Sequence, residues 1–176
     1  MNQQNSNYRP EMTNAGIEAS YPVTVMDEFG NKRETHITGE RPLTIYVDKR
    51  EIVTLMTLGK YPELLVIGYL HNQGFIKNSG EIKAVQVDWD IDSAVVVTRN
   101  GIGGWEKRLE KRTVTSGCGQ GTVFGDLMDN LDDIQLPIPT LHQSSFYSLL
   151  HNIREYNEVY KKSGAVHGCA LCKGEK

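Results

Sequence analysis

Leu43, Ile45 and Val47 alternate with Thr44 and Tyr46; Asp48-Lys49-Arg50-Glu51 follows, and then Ile52 to Met56. Successive side chains of a strand point to opposite faces, so this alternation puts three apolar groups on one face. Two such runs joined by a short polar turn specify a β-hairpin. Pro62 then opens a helix, where its missing N–H costs nothing. Leu64, Ile67, Gly68 and His71 fall on one expected stripe, with Leu65 and Leu70 beside it, and Gly74 is the C-terminal stop.

Around this centre the pattern predicts further strands at Tyr21–Met26 and at Val85–Trp89. Ala94–Thr98 and the charged run Trp105–Thr115 read the same way. Turns fall at Glu28-Phe29-Gly30-Asn31 and Asn78-Ser79-Gly80. A short helix is expected over Phe124–Leu131. After Pro137 and Pro139 a longer helix starts with Thr140 as N-cap and Gln143 completing a capping box. That helix carries Phe146, Leu149, Leu150, Ile153 and Tyr160 on one face and ends at Ser163-Gly164. Residues 1–20, rich in Asn and Gln, read as a disordered lead-in without the charged-then-apolar order of a signal peptide.

The 176 residues, 39% of them hydrophobic and 23% charged, can build a real core. A net charge of −3 gives no reason to expect nucleic acid as a partner. The longest apolar stretch, Leu64–Leu70, is far below the ~20 residues that span a bilayer. Three cysteines, an odd number, argue against a disulfide framework and for thiols with other roles in a reducing, cytoplasmic setting.

Cys118 is the first candidate for chemistry. It lies between Gly117 and Gly119, with Gly121 following. A thiolate attacks where a thiol barely does. Glycines let the backbone turn its N–H groups toward an anion, and a helix start beyond would add its positive end. The plain alternative is a tight turn whose glycines serve packing. The second candidate is His167-Gly168-Cys169-Ala170-Leu171-Cys172. A C-x-x-C pair can bind metal, form a reversible disulfide or relay sulfur, and His167 can orient a group or move a proton. A zinc site from Cys118, His167, Cys169 and Cys172 is the metal alternative; a buried strand with small cysteines is the structural one. His36 is placed in a polar loop, and Asp126, Asp129, Asp132 and Asp133 form a solvated acidic face.

Four segments in this order resemble the FdhD family, the formate dehydrogenase accessory sulfurtransferases. They are Glu40–Val47 with Leu55-Met56-Thr57; Ile67–Leu70 through Gly74-Phe75-Ile76 to Glu81-Ile82; Arg112–Gly119; and Ser163–His167. The resemblance runs from about Tyr21 to Cys172. It implies an α+β protein: a β-rich N-terminal part with one helix over residues 21–112, then a cytidine-deaminase-like α/β part over 113–176. It also implies a carrier that takes persulfide sulfur from a cysteine desulfurase. The sulfur passes to the molybdenum cofactor, in its bis-molybdopterin guanine dinucleotide form, for formate dehydrogenase.

In that scheme Cys118 is the family's motif cysteine, Gly117, Gly119 and Gly121 hold the sulfur anion, and His167 assists. Two departures stand out. Gly121 occupies the position of a second family cysteine, so one thiol suffices or Cys169 and Cys172 supply the other. Family members also run on through a further stretch of the deaminase-like core. The deaminase-like part here is therefore incomplete, with a homodimer contact or a second chain expected to complete it. Sulfurtransferase activity is conditional on that. The competing class is a non-catalytic cofactor-binding or assembly chaperone with a structural zinc. Deaminase chemistry is not expected, because position 169, after His167, holds cysteine where an H-x-E element needs glutamate.

Overall fold

A computed structural model describes residues 8–105, 112–114, 122–124, 135, 138 and 140–174. The chain divides into two compact units, residues 1–17 with 40–134, and residues 18–39 with 135–176.

The first unit is built on a five-stranded sheet. Its strands are β1 (Glu11–Met12), β4 (Arg41–Val47), β5 (Arg50–Thr57), β6 (Ile82–Asp88) and β7 (Ser93–Thr98). Their order is β1-β6-β7-β4-β5. The expected hairpin is β4–β5, antiparallel from Arg41↔Thr57 to Val47↔Arg50. Leu43, Ile45 and Val47 are fully buried. The sheet is mixed, because β4 pairs with β7 in parallel and β1 with β6 in parallel.

The hairpin turn places both Asp48 and Lys49 at positive φ, 45° and 74°. A two-residue turn of that hand matches the twist of the strands it joins. Asp48 is held there by the Thr98 N–H (3.0 Å) and the Thr98 hydroxyl on its carboxylate, and its own N–H donates to the Val96 carbonyl. The turn is thereby fastened to the neighbouring strand β7.

Helix α1 (Pro62–Asn72) lies against β6. Its buried stripe is Pro62, Glu63, Val66 and Leu70, whereas Leu64 and Leu65 are exposed. The stripe expected from Leu64 and His71 is thus rotated. The cause is Glu63, the one buried charged residue among those described. Its Oε1 accepts from the Thr13 hydroxyl (2.9 Å) and the Ala15 N–H (2.7 Å). Thr13 Oγ1 in turn accepts from the Val87 N–H of β6 (2.9 Å). The Trp89 indole N–H donates to the Ala15 carbonyl at 2.5 Å, and the Ile17 N–H to the Gly59 carbonyl.

Residues 8–17, expected within a disordered lead-in, are therefore stitched to α1 and β6 in register. The stitching uses the Thr13 hydroxyl and the backbone of Ala15 and Ile17; the Asn- and Gln-rich residues 1–7 lie outside the described residues. At the other end of α1, Gly74 takes φ 68° and the chain reverses. This buries Phe75 and Ile76, with Phe75 4.5 Å from the Trp105 ring.

The second unit holds a hairpin of β2 (Ser20–Met26) and β3 (Lys32–Thr38), antiparallel from Ser20↔Thr38 to Met26↔Lys32. Its turn is closed by Asp27, whose carboxylate accepts from the Asn31 backbone and side chain and from the Phe29 N–H. Hydrogen bonds from Asn31 first, then Phe29 and Gly30, hold the Asp27 carboxyl below the ordinary carboxylate range. His36, expected in a loop, lies in β3 with Nδ1 3.3 Å from Ser20 Oγ.

The long C-terminal helix is two helices, α2 (Gln143–Tyr156) and α3 (Glu158–Ser163), the latter packed on the hairpin. Asn157 breaks the run: its Oδ1 accepts from the Tyr160 N–H and caps α3. The α2 N-cap is His142, not Thr140, and no side chain of α2 or α3 is fully buried. The expected helix from Phe124 does not begin there, because Phe124 ends a strand. The remainder of that expected helix, its aspartates and residues 106–111 of the charged run lie outside the described residues.

Glu63→Ala removes the acceptor from two donors and should destabilise the chain by about 1.5–3 kcal/mol. Glu63→Gln keeps an Oε1 acceptor and should lose less. The urea midpoint at unchanged m-value reads both. A second outcome concerns Tyr69 on α1, whose hydroxyl is pushed up from its ordinary 10.0 to about 12 by burial. The folded state favours the neutral phenol, so this contribution to stability is complete below pH 10 and is lost as pH rises toward 12. Tyr69→Phe should flatten that alkaline decline relative to wild type.

Candidate functional site

Two short strands frame the first candidate segment. β8 (Arg112–Val114) and β9 (Thr122–Phe124) form an antiparallel pair within the first unit. The register is Arg112↔Phe124, Thr113↔Val123 and Val114↔Thr122. Each pair is equidistant along the chain from residue 118. Cys118 is therefore the middle residue of the connection that this hairpin closes. Cys118 itself, with Gly117, Gly119 and Gly121, lies outside the described residues.

The second candidate segment belongs to the second unit. The Ser163 hydroxyl donates to the Val159 carbonyl (2.8 Å), and the Gly164 N–H closes α3 onto Tyr160. Gly164 at φ 61°, ψ −160° and Ala165 at φ 50° then turn the chain out of the helix. A Cβ at Gly168 would stand 3.0 Å from the Asn157 amide nitrogen, so the segment passes close over the break between α2 and α3. His167 and Cys169 are exposed and Cys172 is half-buried. Both cysteines carry free thiols.

Among the described residues no three His, Cys, Asp or Glu side chains are placed to hold a metal ion. His167, Cys169 and Cys172 thus make no three-ligand cluster, and the fourth member of the expected zinc set, Cys118, is outside the described residues. No helix among those described is long and apolar enough to cross a membrane.

Sequence reasoning passed over two polar constellations. One is the Glu63–Thr13–Ala15 network, beside a cleft of about 330 Å³ lined by Arg9, Asn14, Lys60 and Tyr61. Its signal was a glutamate in the first turn of a helix opened by proline, read there only as a helix start. The other is Arg41, which pairs with Asp92 (3.1 Å) and lies over the Trp89 ring at 5.2 Å. Neither includes a thiol or an imidazole.

The sequence profile described as the FdhD/NarQ family matches residues 38–176, a span that takes in the β8–β9 hairpin and the segment after α3. The chain belongs to the FdhD/NarQ family. Among its relatives, "Sulfur carrier protein FdhD" of Bacillus pumilus is 30% identical over 146 residues, covering 80% of this chain and 54% of that protein. The protein of the same name from Staphylococcus aureus is 28% identical over 164 residues, covering 92% and 62%. A crystal structure put forward as a formate dehydrogenase accessory protein of Desulfotalea psychrophila superposes with a TM-score of 0.60. It is 19% identical and covers 89% of this chain and 59% of that one. The chain spans about half the length of the curated relatives it matches. The α+β fold is that of this structural neighbour.

The hairpin register is open to direct test. Opposed residues of an antiparallel ladder have Cα atoms about 4.5–5.5 Å apart, within the span of a disulfide. In a Cys118→Ser background, Thr113→Cys with Val123→Cys should cross-link on mild oxidation. Thr113→Cys with Thr122→Cys should do so far more slowly, as read on non-reducing gels.

Proposed function

We propose that this member of the FdhD/NarQ family is a sulfur carrier in formate dehydrogenase maturation, with Cys118 as the atom that carries the sulfur. The observation that supports this reading most is the β8–β9 register, whose every pair is centred on residue 118. A register centred on one cysteine puts that residue, by sequence, midway along a connection between strands, the kind of segment in which binding and catalytic residues concentrate. The names of the relatives from Bacillus and Staphylococcus agree with it.

The steps follow from thiol chemistry. The Cys118 thiolate attacks the terminal sulfur of a persulfide on a cysteine desulfurase. A new S–S bond forms at Cys118, the donor's S–S bond breaks, and the electron pair stays on the donor's cysteine sulfur. The outer sulfur of Cys118–S–SH then passes to the molybdenum cofactor, in its bis-molybdopterin guanine dinucleotide form, which is the recipient and so a substrate of this protein: the S–S bond breaks with its electron pair left on Cys118 Sγ, and the recipient donates the pair for the new bond to sulfur. Gly117, Gly119 and Gly121 supply backbone freedom and N–H groups around the sulfur anion, and His167 orients the recipient or moves a proton. A cytoplasmic setting, a cytidine-deaminase-like arrangement of the part from residue 113 on, and a second copy or second chain beside it belong to the same reading.

Incubation with a cysteine desulfurase and cysteine, followed by peptide mass spectrometry, tests the assignment. The peptide containing Cys118 should gain one sulfur, and Cys118→Ala should abolish the gain there. A wild-type chain whose Cys118 peptide gains no sulfur would sink the proposal.

A further inference from the structure

The segment after α3 carries two thiols that the Cys118 reading does not use. Cys169 and Cys172 are three residues apart, both free, and unequal in access: Cys169 is exposed, Cys172 half-buried. Among the described residues, no backbone–backbone hydrogen bond involves residues 165–174. Leu171, between the two cysteines, is fully exposed. A disulfide requires Cα atoms about 4.4–6.8 Å apart, and any backbone rotation that brings residues 169 and 172 to that span breaks no backbone ladder among the described residues. His167 and Lys173 flank the pair in sequence.

From this geometry we propose that Cys169 and Cys172 form a second sulfur-handling site, which accepts sulfane sulfur on Cys169 and discharges it as hydrosulfide through Cys172. The proposal rests on the sulfur-carrier reading for the supply of persulfide, but not on Cys118 being the carrier. The exposed Cys169 is the thiol a bulky donor can reach. Its thiolate attacks the outer sulfur of R–S–SH, giving Cys169–S–SH and R–S⁻. The sheltered Cys172 meets only what is already attached three residues away. Its thiolate attacks Cys169 Sγ, the Cys169–Cys172 bond forms, the bond to the outer sulfur breaks, and HS⁻ leaves with the electron pair. The two thiols are oxidised by two electrons and the departing sulfur is reduced by two, so no external oxidant enters. A dithiol reductant returns the pair to its starting state. Sulfur thus leaves this site as sulfide, whereas a single-cysteine carrier hands over sulfane sulfur.

The test uses the full chain, glutathione persulfide as donor, peptide mass spectrometry and a sulfide assay. In Cys118→Ser the peptide bearing both cysteines should lose two hydrogens as sulfide appears. In Cys172→Ser, Cys169 should hold one extra sulfur and sulfide release should fall by about tenfold or more. In Cys169→Ser, Cys172 should load more slowly than Cys169 does in the converse variant. Both cysteines lie outside the core, so melting curves should match wild type. Sulfide release unaffected by Cys172→Ser, or equal loading of the two thiols, overturns the proposal. With a cysteine desulfurase as donor to Cys172→Ser, sulfur on Cys118 but never on Cys169 discards this site and leaves the carrier reading standing. Sulfur on Cys169 but never on Cys118 does the reverse.

Discussion

The carboxylate of Glu63 is the constraint on which the arrangement of the first unit turns. A buried charge is tolerated only where donors replace the water it has lost, and here they come from Thr13 and Ala15. Satisfying that one oxygen sets three things together. It fixes which face α1 turns to the sheet, it fastens residues 8–17 across the helix start, and through Thr13 it reaches the Val87 N–H of β6. Val66 and Leu70 then enter the same core as Leu43, Ile45 and Val85. An apolar residue at 63 would bury more hydrocarbon but leave the Ala15 N–H without its acceptor, which is why polar chemistry organises an otherwise apolar interface.

The thiols divide along the same lines as the fold. Cys118 belongs by sequence to a hairpin connection in the first unit, and Cys169 and Cys172 to an open segment in the second.

Much of the fold was legible because short-range rules governed it. Alternation at Leu43–Val47, Pro62 as a helix start and Gly74 as its stop each act within a few residues, and each stands where the pattern put it. What escaped was decided at a distance. β3 reads as polar loop because Lys32–Thr38 is charged and owes its strand to pairing with β2. Residues 8–17 read as disordered because Thr13 and Ala15 gain their order from a glutamate some fifty positions on. The α1 stripe was misplaced because hydrophobicity alone was counted, and the residue that sets the helix rotation is an acid. For the site, the C-x-x-C spacing and the glycines around Cys118 were readable, but its midpoint position was not, because that depends on β9 where a helix start was expected. The unequal exposure of the two cysteines and the absence of backbone bonds around them were not, since both depend on how the chain leaves α3.

The distance between partners also bears on synthesis. Ala15 and the Trp89 indole that donates to it are 74 residues apart, and β1 pairs with β6 across a similar gap. At 5–20 residues per second, the amino-terminal segment leaves the ribosome roughly 4–15 s before its strand partner exists. During that wait its hydrogen-bonding groups face only water and chaperones. As an edge strand whose neighbour is β6, β1 can take its place only once β6 has been made.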